Sequence, residues 1–305
     1  MNVQPVNSYY QQNKTSFQSR IKSLNVINPI SHYTDIYFRK VAKQSRSVID
    51  PTLPSLEGKI NVLRLNKGKS SEISAWDINP ENSQHYVMFL HGMSQNVSNY
   101  QHLYDEILQK KVGVFAVEYR GYGSNNSVQI SEDKLRKDVE RAYRFLTKNK
   151  DIKPENVTVV GHSMGGALAT HFATKHKDIK SLVLISPLTS MSNVGKKFAA
   201  NKNIGMGIPQ KVREFTERIN PLMWLFDFRF NSLNKINKVE TPTYIIQSQN
   251  DTVSLTGGAR RLFKKAKRKG ILKNFYLLPS GGHKVDKRKV SKVAEIVEEV
   301  YHKKV

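Results

Sequence analysis

Gly161-His162-Ser163-Met164-Gly165 spells G-x-S-x-G, and Gly166 follows it. A serine hydroxyl in such a setting is a candidate nucleophile for acyl transfer, provided a base takes its proton. The flanking sequence gives the pattern its weight. Val157–Val160 (VTVV) reads as a β-branched strand, and an Ala-rich segment after Gly166 reads as a helix. A serine on a tight strand-to-helix turn is pushed out over the carboxyl edge of a sheet, and small neighbours keep that turn free of clashes. The helix N-terminus beneath it favours negative charge. The competing reading is a small-residue turn with an incidental serine.

The base must reach the same sheet edge. Of nine histidines, His283 is favoured, in Pro279-Ser280-Gly281-Gly282-His283, a glycine-rich loop between a late strand and the last helix. His171 and His176 fall on or near the helix after the turn, His302 in the charged C-terminal turn, and His162 points away from the serine. A loop histidine with no role is the alternative. The imidazolium that forms needs a carboxylate to orient and stabilise it. Asp251, in Gln249-Asn250-Asp251-Thr252-Val253, also follows a strand, and the order Ser163, Asp251, His283 is a known triad order. A helix N-cap is the plainer role for Asp251; Asp286 and Asp227 are fallback acids. Two backbone N–H groups are expected to hold the oxyanion. They are those of Met164, directly after the serine, and Met93, in His91-Gly92-Met93-Ser94 after the run Tyr86–Leu90 (YVMFL).

The elements that would position these groups alternate from residue 58 onward. Segments 60–65 and 72–78 read as a hairpin or meander. Strands are expected at 86–90, 112–117, 157–160, 182–185, 243–247 and 275–278. Helices are expected at 100–109, 131–147, from Gly166 to about His176, at 255–267 and at 287–302. Continuous apolar strands separated by helices predict a mostly parallel sheet covered on both faces. Residues 187–240 break the rhythm and are too long for an ordinary connection, so they read as a lid or cap. Within them, Met223, Trp224 and Phe226 are candidate acyl-chain contacts, with the packed underside of the cap as the competing role. Residues 1–55 read as an N-terminal extension: a mostly disordered tail rich in Asn, Gln and Ser to about residue 30, a short basic amphipathic helix over 33–46, then a linker at Asp50-Pro51 and Leu53-Pro54.

Taken together, FLHG (89–92), EYRGYG (118–123), GHSMGG (161–166), QND (249–251) and GGH (281–283) resemble the α/β-hydrolase fold. They are most similar to its monoacylglycerol lipase-like, serine aminopeptidase-like and BEM46-like branch. The resemblance covers about residues 56–305. It implies an eight-stranded, mostly parallel sheet and hydrolysis of an ester, thioester or amide without metal or cofactor.

The chain has 305 residues, enough to bury a large core without staples, and no cysteine. That excludes a disulfide scaffold, a cysteine nucleophile and thiolate metal sites. Lys plus Arg number 49 against 25 Asp plus Glu, a net charge of +24. The run Arg260–Lys269 is densest, and Lys284, Lys287, Arg288 and Lys289 follow near His283. A solvated basic face, an anionic membrane surface and nucleic acid compete as explanations; nucleic acid is disfavoured because no reading module accompanies the charge. No segment reaches about 20 apolar residues and no signal peptide is evident, so a cytoplasmic location is expected. The expected function is a serine hydrolase acting on an acyl or lipid-like ester or thioester. The alternatives are a non-catalytic binding protein on the same fold, or a basic membrane or nucleic-acid adaptor.

Overall fold

Strands buried on both sides must be apolar on both faces, and the central strands here are. The computed structural model describes residues 53–65, 73–123, 125, 130–190 and 230–302. Eight strands form one sheet: β1 (Ile60–Arg64), β2 (Ser74–Ile78), β3 (Tyr86–Leu90), β4 (Gly113–Glu118), β5 (Val157–His162), β6 (Ser181–Ile185), β7 (Thr243–Ser248) and β8 (Leu272–Leu278). Their order is β1-β2-β4-β3-β5-β6-β7-β8. The β1–β2 and β2–β4 pairs are antiparallel, and the rest are parallel. The β1–β2 pair is the hairpin expected over 60–78.

Six α-helices are described: α1 (Gln101–Leu108), α2 (Glu132–Arg144), α3 (Met164–Ala173), α4 (Ser232–Lys235), α5 (Thr256–Lys269) and α6 (Lys287–Tyr301). Alternate strand residues sort into two apolar layers. Met88, Leu90, Phe115, Val159, Leu184 and Ile245 face Leu135, Leu168 and Leu262, so α2, α3 and α5 cover one side. Val87, Phe89, Val160, Val183 and Ile246 face Leu103, Ile107, Val293 and Val297, so α1 and α6 cover the other. The helices that carry the basic residues, α5 and α6, therefore lie on opposite faces of the sheet.

Boundaries differ from expectation in several places: β8 begins at Leu272 rather than 275, and α5 runs on to Lys269. The helix read over 131–147 is α2 followed by a π turn at Phe145–Asn149, and the helix after Ser163 stops at Ala173 rather than near His176. The tail, the amphipathic helix over 33–46 and the bulk of the expected lid lie outside the described residues. Both roots of the insert are described. The described residues run to Ser190 after β6 and continue from Phe230. Ser232 stitches the roots together: its N–H donates to Thr189 O at 3.0 Å and its Oγ to Leu188 O at 2.7 Å.

Candidate active site

β5 ends and α3 begins within one residue, and the backbone must turn sharply to do it. Ser163 takes up that turn with φ +54° and ψ −115°, a conformation that L-residues hold only when the surroundings enforce it. Enforcement comes from Ser163 N–H donating to Ile185 O at 3.0 Å, and from Leu188 N–H donating to Ser163 O at 3.0 Å. The neighbouring glycines leave no room for alternatives. A Cβ on Gly165 would stand 2.0 Å from Leu90 O, and one on Gly161 would stand 2.4 Å from Gly165 O.

The three residues picked out in the sequence meet at this turn. His283 Nε2 lies 2.9 Å from Ser163 Oγ, and His283 Nδ1 lies 3.0 Å from Asp251 Oδ2 and 3.2 Å from Oδ1. A carboxylate on Nδ1 fixes that nitrogen as the N–H and leaves Nε2 as the acceptor facing the serine. Asp251 is buried and well supplied with donors. Its Oδ1 accepts from Val253 and Ser254 N–H, each at 2.9 Å, and its Oδ2 accepts from Gln247 Nε2 at 3.1 Å. Asp251 is not the N-cap of α5, whose N-cap is Leu255; it closes its own turn before that helix while its carboxylate holds the imidazole. Burial alone would raise the Asp251 carboxyl, but the His283 hydrogen bond and charge and the Val253 amide outweigh it, so the group sits below the ordinary carboxylate value. Of the fallback acids, Asp286 caps α6 and Asp227 lies outside the described residues.

The His91–Ser94 loop crosses directly above Ser163. Gly92 packs so closely that a Cβ there would stand 3.0 Å from His162 Nδ1. The EYRGYG segment supports this loop from below. Glu118 Oε1 lies 2.9 Å from His91 Nε2, Glu118 Oε2 accepts from Val97 N–H at 3.2 Å, and Tyr119 Oη donates to His91 O at 3.3 Å. Gly123, at φ +54°, leaves space that Glu118 fills. Met93 sits on this loop half-buried, and Met164 is the fully buried first residue of α3. The first-turn amides of a helix have no intrahelical acceptor, so the Met164 N–H is a donor by construction.

Two participants escaped the sequence reading. His162, buried beside the serine, turns its ring toward both flanking loops: Nδ1 lies 2.8 Å from Tyr100 Oη, and Nε2 lies 2.8 Å from His283 O. Gly92 N–H donates to the same Tyr100 hydroxyl at 3.1 Å, and Gln95 Oε1 lies 2.6 Å from it. One imidazole therefore links the His91–Gln95 loop to the His283 loop. Burial, with lesser effects from the His283 and Lys289 charges, pushes His162 down to about 3, so the ring is neutral. A carbonyl accepts only, so Nε2 carries the proton and Nδ1 accepts from Tyr100. The hydroxyl's single hydrogen is then used, and Gln95 must turn its NH₂ rather than its oxygen toward it. The second participant is Lys289. The sequence groups it with the surface cations, but it occupies the inward face of α6 and is fully buried. Neither role has a signal in residue type alone.

Met223, Trp224 and Phe226 lie outside the described residues. Among the described residues, no cluster of His, Asp and Glu could hold a metal ion, and no helix is long and apolar enough to cross a membrane.

The strand order, the turn at Ser163 and the Ser163–His283–Asp251 chain of contacts decide the fold. This is an α/β-hydrolase-fold protein. A family model described as serine aminopeptidase, S33, matches residues 81–221. A Mycoplasma pneumoniae protein with the provisional name "esterase/lipase 2" is 29% identical over 163 residues, 53% of this chain and 60% of that protein. Human alpha/beta hydrolase domain-containing protein 17B is 26% identical over 188 residues, 61% of this chain and 57% of that protein. The chain thus spans somewhat over half the length of each of these two relatives. Among solved structures, an esterase of Pyrococcus furiosus aligns with TM-score 0.66 at 20% identity, covering 83% of this chain and 96% of its own. An α/β hydrolase of Vibrio vulnificus aligns with TM-score 0.67 at 19% identity, covering 88% of this chain and 93% of its own. The solved structures show the α/β-hydrolase fold, and the proteins that this chain resembles carry esterase, lipase and α/β-hydrolase names.

Proposed function

We propose that this chain is a serine hydrolase that cleaves a carboxylic ester or thioester of an acyl or lipid-like substrate through an acyl-enzyme. The observation that carries the reading is the Ser163–His283–Asp251 geometry, with 2.9 Å and 3.0 Å contacts on the two imidazole nitrogens. In this mechanism His283 Nε2 takes the Ser163 hydroxyl proton as Oγ attacks the substrate carbonyl carbon. The carbonyl oxygen becomes an oxyanion facing the Met93 and Met164 amides. Each such donor is worth about 2.7–4 kcal/mol of barrier. His283 then gives its proton to the departing alkoxide or thiolate, leaving the acyl group on Ser163. Water repeats the sequence: His283 takes its proton, hydroxide adds to the acyl carbon, and Ser163 leaves as the restored hydroxyl with the carboxylic acid as product. Asp251 stays ionised throughout and stabilises the imidazolium.

Strain at Ser163 serves the same step, because a serine held at φ +54° meets substrate without a rearrangement. The test is labelling by a fluorescent fluorophosphonate, comparing the native chain with Ser163→Ala and His283→Ala, followed by a panel of esters of increasing acyl length. Labelling is expected in the native chain alone, with long acyl chains preferred. A folded native chain that does not label defeats the hydrolase reading. Hydrolysis confined to short acyl esters defeats the lipid-like part.

A further inference from the structure

We infer that Lys289 is a positioning residue, a buried ammonium that fixes the loop carrying His283 by saturating its carbonyls; this rests on His283 being the base of the proposed reaction. The loop between β8 and α6 has no regular structure of its own. It turns through Gly281 at φ +119° and Gly282 at φ +58°, left-handed backbone that favours glycine, and its carbonyls meet buried side chains. An inward carbonyl with no partner is costly, and a loop without a ladder must find donors elsewhere.

Lys289 supplies them. Its Nζ donates to Gly282 O at 2.7 Å, to Lys284 O at 2.7 Å and, more weakly, to Gly281 O at 3.4 Å. An ammonium has three N–H donors, and all three are used. The carbonyl between them, His283 O, accepts from His162 Nε2 at 2.8 Å. Residues 281–284 thus each surrender their carbonyl to a buried side chain, and the base sits at the centre of the set.

The cost of this arrangement is what singles it out. Lys289 is fully buried, and its nearest carboxylate oxygen, on Asp286, stands 4.0 Å away. No tight ion pair offsets the loss of hydration, which for a lone charge is large. Its neighbours on the inward face of α6, Val290, Val293 and Val297, are apolar, and an apolar residue at 289 would pack there without that cost. What an apolar residue lacks is three donors aimed at the base loop. Asp286 completes the arrangement by capping α6 through Lys289 N–H at 3.3 Å, which sets the turn from which the lysine reaches back.

The experiment compares Lys289→Met, Lys289→Gln and Val293→Ala with the native chain. Val293→Ala removes apolar packing one turn along the same face of α6 without touching the loop. Each is scored for stability, for kcat and KM on a soluble ester, and for the rate of fluorophosphonate labelling. The His283 ring carbon resonance is also followed by NMR, a readout that needs no turnover. A base displaced by about 1 Å loses on the order of 100-fold. Lys289→Met is expected to lose about that much in kcat and labelling rate, with KM within about threefold, and to shift or broaden the His283 resonance. Lys289→Gln keeps two donors and is expected to fall between; it also stands in should the Met variant not fold. Val293→Ala is expected to lose stability while keeping its rate and its His283 resonance. Native kcat and an unmoved His283 resonance in Lys289→Gln or Lys289→Met would overturn the assignment, as would losses that track stability as in Val293→Ala. A native chain that never labels, yet whose His283 resonance moves in the lysine variants, would sink the hydrolase reading and leave the positioning role standing.

Discussion

Replacing His162 with Gln removes a titration from the core, and its size can be worked out in advance. The imidazole is fully buried and is pushed down from 6.5 to about 3. Between those values the unfolded chain binds a proton that the folded chain refuses. Stability is therefore full above about pH 6.5 and falls as the pH drops through the window toward 3. Each tenfold difference in proton affinity between the two states corresponds to about 1.36 kcal/mol, so at pH 5 this single group costs about 2 kcal/mol relative to pH 8. Gln can still donate to His283 O but does not titrate. Urea denaturation of both proteins at pH 8 and pH 5, followed by tryptophan fluorescence, gives the double difference. His85 and His171, which burial also lowers, are common to both proteins and subtract out. The native chain is expected to lose about 2 kcal/mol more than His162→Gln on acidification. Equal losses would mean that His162 is not a neutral buried bridge, and the proton assignment along Tyr100, His162 and His283 would fall with it.

Three further outcomes are expected. Asp251→Asn leaves the His283 loop in place but puts the imidazole proton on the wrong nitrogen, so kcat on a soluble ester should fall by about 10⁴-fold at unchanged secondary structure. Asp138→Ala strands the Arg120 guanidinium, which is buried and held by Asp138 at 2.5–3.0 Å; a loss of about 3–5 kcal/mol in chemical denaturation is expected, and a loss below about 1 kcal/mol would contradict the pairing. The outward side of α5 carries Arg260, Arg261, Lys264, Lys267 and Arg268 with no acid on the helix. Liposome sedimentation should show binding to anionic but not neutral vesicles, reduced by salt and lost when Arg260, Lys264 and Lys267 become Glu; equal binding to neutral vesicles would remove the electrostatic basis.

Much of the frame was legible because its signals are local. YVMFL, VTVV and the strand before Asp251 are buried on both faces, so their apolar runs are continuous and easy to see. Ser163 was legible because a strained turn needs small neighbours whose spacing is written in the chain. His283 and Asp251 were legible because both follow strands and so share one sheet edge. What the residues did not disclose depends on rotation and on distant partners. Lys289 stands in a basic run with Lys287 and Arg288, and only the phase of α6 turns it inward while they face solvent. His162 reads as an ordinary spacer in G-x-S-x-G; its partners lie 62 and 121 positions away. The EYRGYG stretch reads as a resemblance, and its supporting contacts from Glu118 and Tyr119 to the loop above emerge only once β3 and β4 are neighbours.

The stitch between Leu188–Thr189 and Ser232 has an evolutionary consequence. The described residues on either side of positions 191–229 are joined to each other by these bonds, so the two ends of that stretch are held together whatever its sequence. Lengthening a loop whose ends are fixed costs only about 0.6 kcal/mol per doubling. Selection can therefore rewrite this stretch of sequence, in length as well as composition, without disturbing the strand order. A chimera that carries a foreign segment between Ser190 and Phe230 is expected to keep the stability of the sheet to within about 1 kcal/mol, as read by chemical denaturation.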